Sequence, residues 1–478
     1  MKNNSQAYQI FKIFIVFADV LILCGCILIA LYFPLPWVAS NLEERNIQDI
    51  SRVLPFICVG GVFLLYVYNL YSDPGRSVFD IVYSVILVVL FLTVITMALS
   101  FFLRSSAFPR TIIAYNAGLQ AVLLTLWRIS ALYIGRKLHG KQTVLIVGHE
   151  PETQEIAKKI LLTPGSLYEI KYLFDLSKDY KIMRKLIQNV DQVFICPNIT
   201  PKERQKIFSS CVALNTNIFM IPTLFEISVK NAALQNFDDM PAFRIGQIKL
   251  TWEQKTVKRL FDIIFSVVSL VLTSPILLIS AIAIKLDSPG PVFYRQERIT
   301  ENNRVFKVIK LRTMQNGAEE LTGSVLAAEN DPRITKVGAF LRATRVDELP
   351  QFINVFLGDM SVVGPRPERP IFTEQFKMEQ PDYDYRSAVK AGITGYAQVM
   401  GKYTTSFTDK LRYDLMYIRN YSLWLDITLV IQTIKVLFTK QAAVGVVDDY
   451  TFKDSLAMKN IRLVHRDGYD EALKAGSV

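Results

Sequence analysis

The chain has 478 residues, room for about three domains at roughly 150 residues each. Hydrophobic residues make up 51% of it and mean hydropathy is +0.26; the apolar residues gather in long runs, which excludes an ordinary soluble protein and indicates membrane spans. The net charge of +11 suits an anionic lipid surface, and with such runs present it requires no nucleic acid as partner.

Four apolar runs fill the first third, at 9–33, 54–71, 78–103 and 111–135. Each is near the length that crosses a bilayer as helix, so residues 1–138 are expected to form an α-helical four-span transmembrane bundle. The first run is too long for a signal-peptide core and reads as an anchor. Lys2 and Lys12 precede it, and Arg128, Arg136, Lys137 and Lys141 lie in or beyond the fourth. The positive-inside tendency then puts both ends of the bundle in the cytoplasm.

From 139 to 250 the pattern changes to short apolar strands alternating with amphipathic helices. Thr143–Val147, Lys171–Phe174, Gln192–Cys196 and Asn217–Ile221 are the strand candidates of a Rossmann-like α/β cytoplasmic domain. The loop after the first strand, Gly148-His149-Glu150-Pro151-Glu152, lacks the G-x-G-x-x-G glycines and sets acids where a pyrophosphate would lie. A structural or regulatory role is expected for this domain, and a membrane dehydrogenase or epimerase is disfavoured.

Lys255, Lys258 and Arg259 introduce a further apolar run, 261–286, with Ser274 and Pro275 at its middle and Lys285 at its far end. A central proline between basic flanks predicts a re-entrant membrane element, helix–break–helix, with both ends at the same face. Residues 251–445 are then expected to form a mainly α, or α/β, catalytic domain, followed by a polar C-terminal tail at 446–478. Tyr413, Tyr417, Tyr421 and Trp424 fit either helices lying on the membrane face or an aromatic core stripe.

Residues 292–369 concentrate Arg295, Arg298, Lys307, Lys310, Arg312, Arg342, Arg345, Arg366 and Arg369 around one acidic pair, Asp347-Glu348. Guanidinium groups grip phosphate oxygens in pairs. Leu349, Phe352, Ile353, Phe356 and Leu357 follow the pair at helical spacing, with Pro350 tolerated in a first turn, so the acids are expected at a helix N-terminus. Two adjacent acids can divide the work, one attacking phosphorus and one holding a divalent cation. Acidic helix capping is the alternative. The three histidines, His139, His149 and His465, lie outside this region, which speaks against a histidine-based triad there. The five cysteines show no zinc or disulfide spacing and read as packing residues.

Eight ordered blocks raise the site above its single motifs: KRLFDI at 258–263, SP at 274–275, PGPVFYRQERI at 289–299, KLRTM at 310–314, DPRITKVGAFLRATRVDELPQFINVF at 331–356, GDMSVVGPRPER at 358–369, GITGYAQVMGKY at 392–403 and KLRYDLMYIRNYSLWLDI at 410–427. In these the chain resembles the bacterial sugar transferase family, the monotopic polyprenyl-phosphate glycosyl-1-phosphate transferases, in its large form. The resemblance implies that Asp347 is the nucleophile and Glu348 a Mg²⁺ ligand, with Lys310, Arg312, Arg342 and Arg366 on the phosphates. Lys402 stands where the family often has Arg, and Asp426 matches a family acid. The resemblance further implies a UDP-sugar donor, an undecaprenyl (polyprenyl) phosphate acceptor, release of UMP, and the opening step of capsule or exopolysaccharide assembly at the bacterial inner membrane. It is compatible with a homo-oligomer. The rival reading is a non-catalytic scaffold or sensor for an assembly complex.

Overall fold

The computed structural model describes residues 2–33, 44–72, 75–102, 110–230, 232–317, 331–401, 405–437, 450–466 and 468–474. The chain divides into two compact units, Met1–Ile221 with Tyr450–Val478, and Pro222–Asp449.

The first unit opens with four helices: α1 (Lys2–Tyr32), α2 (Glu44–Val67), α3 (Val78–Phe102) and α4 (Arg110–His139). Three of them are long and apolar enough to cross a membrane, and α2 contributes a shorter apolar stretch, Val53–Val67. Their polar interior is paired. Arg128 meets Asp19 with both side chains buried, the Tyr71 hydroxyl donates to Asp19 Oδ2 at 2.8 Å, and Arg128 Nη1 donates to Leu70 O at 2.7 Å. Charges away from water need such partners.

The α/β part follows as β1 (Gln142–Gly148), α5 (Glu152–Leu162), β2 (Tyr168–Asp175), α6 (Tyr180–Gln188), β3 (Gln192–Ile195), α7 (Pro201–Leu214) and β4 (Asn217–Met220). All four expected strands are present. They pair in parallel in the order β2-β1-β3-β4, and β1 is buried from Val144 to Val147, which is why these strands read as short apolar runs. At the β1–α5 turn, a Cβ on Gly148 would lie 2.3 Å from Cys196 Sγ, so glycine is required there by packing. Glu152 and Glu155 occupy the first turn of α5, where their charge opposes a bound phosphate.

The tail behaves differently from its sequence reading. Residues 450–474, read as part of a polar tail, form α16 (Phe452–Met458) and a hairpin of β11 (Ile461–Arg466) and β12 (Tyr469–Lys474). Strand β12 pairs antiparallel with β2 and extends the sheet to six strands. Phe452, Leu456, Ile461 and Leu463 pack on the core formed by Val144, Ile146 and Ile156. Alternation in a half-buried edge hairpin leaves a polar average composition, so no apolar run marks it.

The second unit contains α8 (Leu224–Val229), a hairpin of β5 (Ala233–Phe237) and β6 (Met240–Arg244), and the long helix α9 (Trp252–Asp287). It continues with the antiparallel pair β7 (Phe293–Ile299) and β8 (Val305–Leu311), then α10 (Lys336–Ala343), a 3₁₀ turn at Val346–Glu348, and α11 (Gln351–Leu357). Strand β9 (Ser361–Val363), α12 (Pro370–Glu379), β10 (Gly392–Thr394), α13 (Tyr396–Met400), α14 (Phe407–Arg419) and α15 (Leu423–Leu437) complete it. Val355, Met360, Val363, Leu415 and Tyr417 centre its core. Tyr417 and Tyr421 are buried and Trp424 is exposed, so the tyrosines take the core alternative.

Helix α9 covers the stretch expected as helix–break–helix. It is one helix with Pro275 inside it. A proline removes the bond to the carbonyl four residues back, here that of Val271, and the Ser274 hydroxyl donates to Val271 O at 2.8 Å in its place. Both ends of α9 nevertheless rest on the same body. Near the start, Lys258 pairs with buried Asp426 at 2.7 Å, Asp262 accepts from Ser361 Oγ and Val362 N at 2.9 Å each, and Arg259 donates to Val355 O and Phe356 O at 2.7 Å. At the end, Asp287 accepts from Val337 N at 3.1 Å and Ile284 is buried with Leu311 and Leu341. Between these anchors Val271, Leu272, Leu278 and Ile279 are exposed. In a background lacking the native cysteines, single cysteines near positions 256 and 288 are expected to react with an impermeant reagent from the same membrane side. Reaction from opposite sides would show that α9 crosses the bilayer.

Candidate active site

Helix α10 ends at Thr344, and Arg345 takes a left-handed conformation, φ 58°, before the 3₁₀ turn that carries Asp347 and Glu348. Glycine is the usual occupant of such a position, and a larger residue there costs roughly 1 kcal/mol. The arginine is favoured there by charge: its Nη1 lies 3.9 Å from Glu348 Oε1. The acids thus lie in the turn just before α11, one step ahead of the helix start expected from sequence.

Glu348 Oε1 also meets Lys310 Nζ at 2.9 Å and Arg366 Nη2 at 3.2 Å. Burial works against its charge, but Lys310, Arg366 and Arg345 outweigh that and hold its carboxyl well below the ordinary range. Asp347 is in the opposite state. It is 8% exposed and its Oδ1 is buried with no hydrogen-bond partner. Burial first, and the neighbouring Glu348 charge second, push its carboxyl up to about 6 against the pull of Lys310, Arg345 and Arg342. Two adjacent carboxylates with separated acidities can serve separate roles.

The scaffold holding this arrangement is partly polar. Asn354, 1% exposed, accepts from Ile309 N and donates to Lys307 O, both at 2.9 Å. This fixes α11 against β8 and sets Lys310 opposite Glu348. The buried face of α11 is Gln351, Asn354 and Val355, while Phe356 and Leu357 of the predicted apolar stripe are exposed. Three glycines bring the Arg366 loop close to β10: a Cβ on Gly364 would lie 2.3 Å from Lys390 O, and one on Gly392 or Gly395 would run into Gly364 at 2.1 or 2.2 Å.

Of the residues singled out by sequence, Asp347, Glu348, Lys310 and Arg366 come together. Arg342 joins them electrostatically, acting on Asp347 from α10. Arg312 faces elsewhere: its two terminal nitrogens donate to Pro289 O at 2.6 Å, Ser288 O at 2.7 Å and Ser288 Oγ at 3.0 Å, closing the exit of α9. Asp426, fully buried, hydrogen-bonds Lys258 and the Tyr417 hydroxyl, each at 2.7 Å, which makes it a strut for α9. Lys402 lies outside the described residues. Asn354 supports the site without standing among its sequence candidates, its only trace being a polar residue amid an apolar helix, and Arg345 stood in the basic cluster without a role of its own.

An apolar helix rooted in the same body as a cation-gripped Glu348 and a buried Asp347 suits group transfer at a membrane. The family comparisons agree. Residues 253–440 match the family described as bacterial sugar transferase, and residues 65–194 match one described as a CoA-binding domain. The chain is 32% identical over 334 residues to a UDP-glucose:undecaprenyl-phosphate glucose-1-phosphate transferase of Escherichia coli K12, covering 66% of this chain and 72% of that protein. It is 38% identical over 240 residues to a UDP-N-acetylgalactosamine-undecaprenyl-phosphate N-acetylgalactosaminephosphotransferase of Aeromonas hydrophila, covering 50% of this chain and 56% of that one. An exopolysaccharide production protein of Rhizobium leguminosarum bv. phaseoli is 41% identical over 186 residues, 37% of this chain and 93% of that protein. The chain spans about half the length of several curated relatives that it matches. The chain belongs to the bacterial sugar transferase family.

Proposed function

We propose that this protein transfers a sugar 1-phosphate from a UDP-sugar to undecaprenyl phosphate at the cytoplasmic face of the bacterial inner membrane, opening assembly of a capsular or exopolysaccharide glycan. The observation that carries this reading is the buried, unpartnered Asp347 Oδ1 beside a Glu348 carboxylate gripped by Lys310 and Arg366. An ionised carboxylate attacks phosphorus without a general base. Asp347 attacks the phosphorus that bears the sugar; a new P–O bond forms, the P–O bond to UMP breaks, and its electron pair leaves with UMP. A phosphate oxygen of undecaprenyl phosphate then attacks the same phosphorus. The Asp347–phosphorus bond breaks, the lipid diphosphate sugar departs, and the carboxylate returns.

Lys310, Arg366 and Arg342 would supply charge to the equatorial phosphate oxygens. Catalysis then rests mainly on positioning and electrostatics. Mg²⁺ fits the donor set. Among the described residues no three carboxylate, histidine or cysteine side chains could hold a metal together, and Mg²⁺ accepts one or two carboxylates with waters and substrate phosphates. Glu348 would hold it, and the ion would neutralise charge on the diphosphate.

Purified protein in lipid, given a panel of UDP-sugars with undecaprenyl phosphate, is expected to release UMP with at least one of them. Donor binding with no UMP release would establish the scaffold reading instead. A chain running from Pro222 to Asp449 is expected to keep this activity in lipid, because all the acids and cations named above lie in the second unit. The Rhizobium relative, nearly exhausted by a 186-residue match, points the same way. Folded but inactive protein would show that the first unit supplies a group the reaction needs.

A further inference from the structure

Arg366 sits between two prolines, Pro365 and Pro367, which carry no amide hydrogen. The segment is therefore held by its carbonyls, and four in a row are gripped. Gly392 N donates to Pro365 O at 2.9 Å and Ile299 N to Glu368 O at 3.0 Å. Between them, Arg386 Nη2 donates to Arg366 O at 2.9 Å and Arg298 Nη1 to Pro367 O at 3.1 Å.

Arg386 is itself pinned. Its side chain is 10% exposed; Nη2 pairs with Asp414 Oδ2 at 3.0 Å and Nη1 lies 4.0 Å from Glu368 Oε1. Its Nη1 also donates to the Tyr383 hydroxyl. Arg298 is steadied by Gln296 Oε1 at 2.7 Å. Arg366, Glu368, Tyr383 and Arg386 line a cavity of about 20 Å³, room for about one water. The prolines fix φ on either side of Arg366, and the two arginines hold the carbonyls of Arg366 and Pro367 between the backbone bonds at each end.

We propose that Arg386, assisted by Arg298, is a positioning residue of the transfer reaction: it fixes the Arg366 backbone so that the Arg366 guanidinium meets Glu348 and the donor diphosphate together. The proposal rests on the transferase reading given above. A misplacement of about 1 Å at such a group costs on the order of a hundredfold in rate.

The test is steady-state UMP release by the full chain in lipid, with undecaprenyl phosphate and a UDP-sugar that the wild type turns over. A wild type that releases no UMP from any donor overturns the transferase reading itself. With an active wild type, Arg386→Gln is expected to lower kcat about a hundredfold with KM for the donor changed less than about threefold. Arg386→Lys, which keeps charge but loses the fork, should recover no more than about a tenth of the activity. In an Arg366→Ala background, Arg386→Gln should cost less than about threefold more, because its effect passes through the missing side chain. Full kcat in Arg386→Gln, or losses that multiply in the double variant, would overturn the proposal. If Arg386→Gln does not fold, Arg298→Lys alone and with Arg366→Ala makes the same comparison: a loss confined to the Arg366 background supports the proposal, and full kcat or multiplying losses overturn it.

Discussion

Asp347→Asn is expected to lower UMP release about a thousandfold or more and to erase covalent labelling. Wild-type protein incubated with a UDP-sugar labelled in its sugar, without lipid acceptor, should carry label on the peptide containing Asp347, and ping-pong kinetics should follow with both substrates present. The amide keeps the shape of the side chain but cannot supply the attacking oxygen pair. Its fold should survive. The folded state raises the pKa of Asp347 to about 6, so it holds this proton more tightly than the unfolded chain does. Stability from this group is therefore present below the ordinary carboxylate range and is lost as pH rises to about 6. At pH 8 the neutral Asn variant should melt no lower than wild type, which separates lost chemistry from lost structure. Substantial turnover in Asp347→Asn, with no label on the wild-type peptide, would replace the covalent route by direct transfer from donor to lipid.

Glu348→Gln should cost about one to two orders of magnitude in kcat and move the pH profile. In the wild type the rate is expected to fall as pH drops through about 6, where Asp347 takes up its proton. Glu348 is one of the causes of that raised value, whereas Lys310, Arg345 and Arg342 oppose it. Neutralising Glu348 leaves those cations unopposed, so the acid limb should shift to lower pH. A limb that stays in place, or moves up, would mean that another group controls the profile. The same variant should lose its response to Mg²⁺ if Glu348 holds the ion.

The parts of this fold that depend on periodicity were legible from the chain alone. The four apolar runs became α1 to α4, and the four short apolar strands became β1 to β4, because a buried parallel strand or a membrane helix must be apolar along its length. Asp347, Glu348, Lys310 and Arg366 stand in a stretch of concentrated charge, and the family resemblance singled them out within it. What stayed hidden depends on partners that have no letter in the sequence. In α9 a serine hydroxyl takes up the carbonyl that the proline leaves without an amide. The hold on Arg366 is made through backbone carbonyls, and Arg312 is occupied by carbonyls of the α9 exit. An arginine bound to a carbonyl and one poised for phosphate look alike in sequence.

The hairpin β11–β12 closes onto β2, so the second unit is an insertion within the first. On the ribosome this imposes an order. At about 5–20 residues per second, strands β1 to β4 emerge long before β12, and the free edge of β2 must wait while more than two hundred further residues, 222–449, are made. The second unit can be complete before the sheet ahead of it is finished. Closing the hairpin is then a late act of folding, and it cannot happen until the whole second unit has been synthesised.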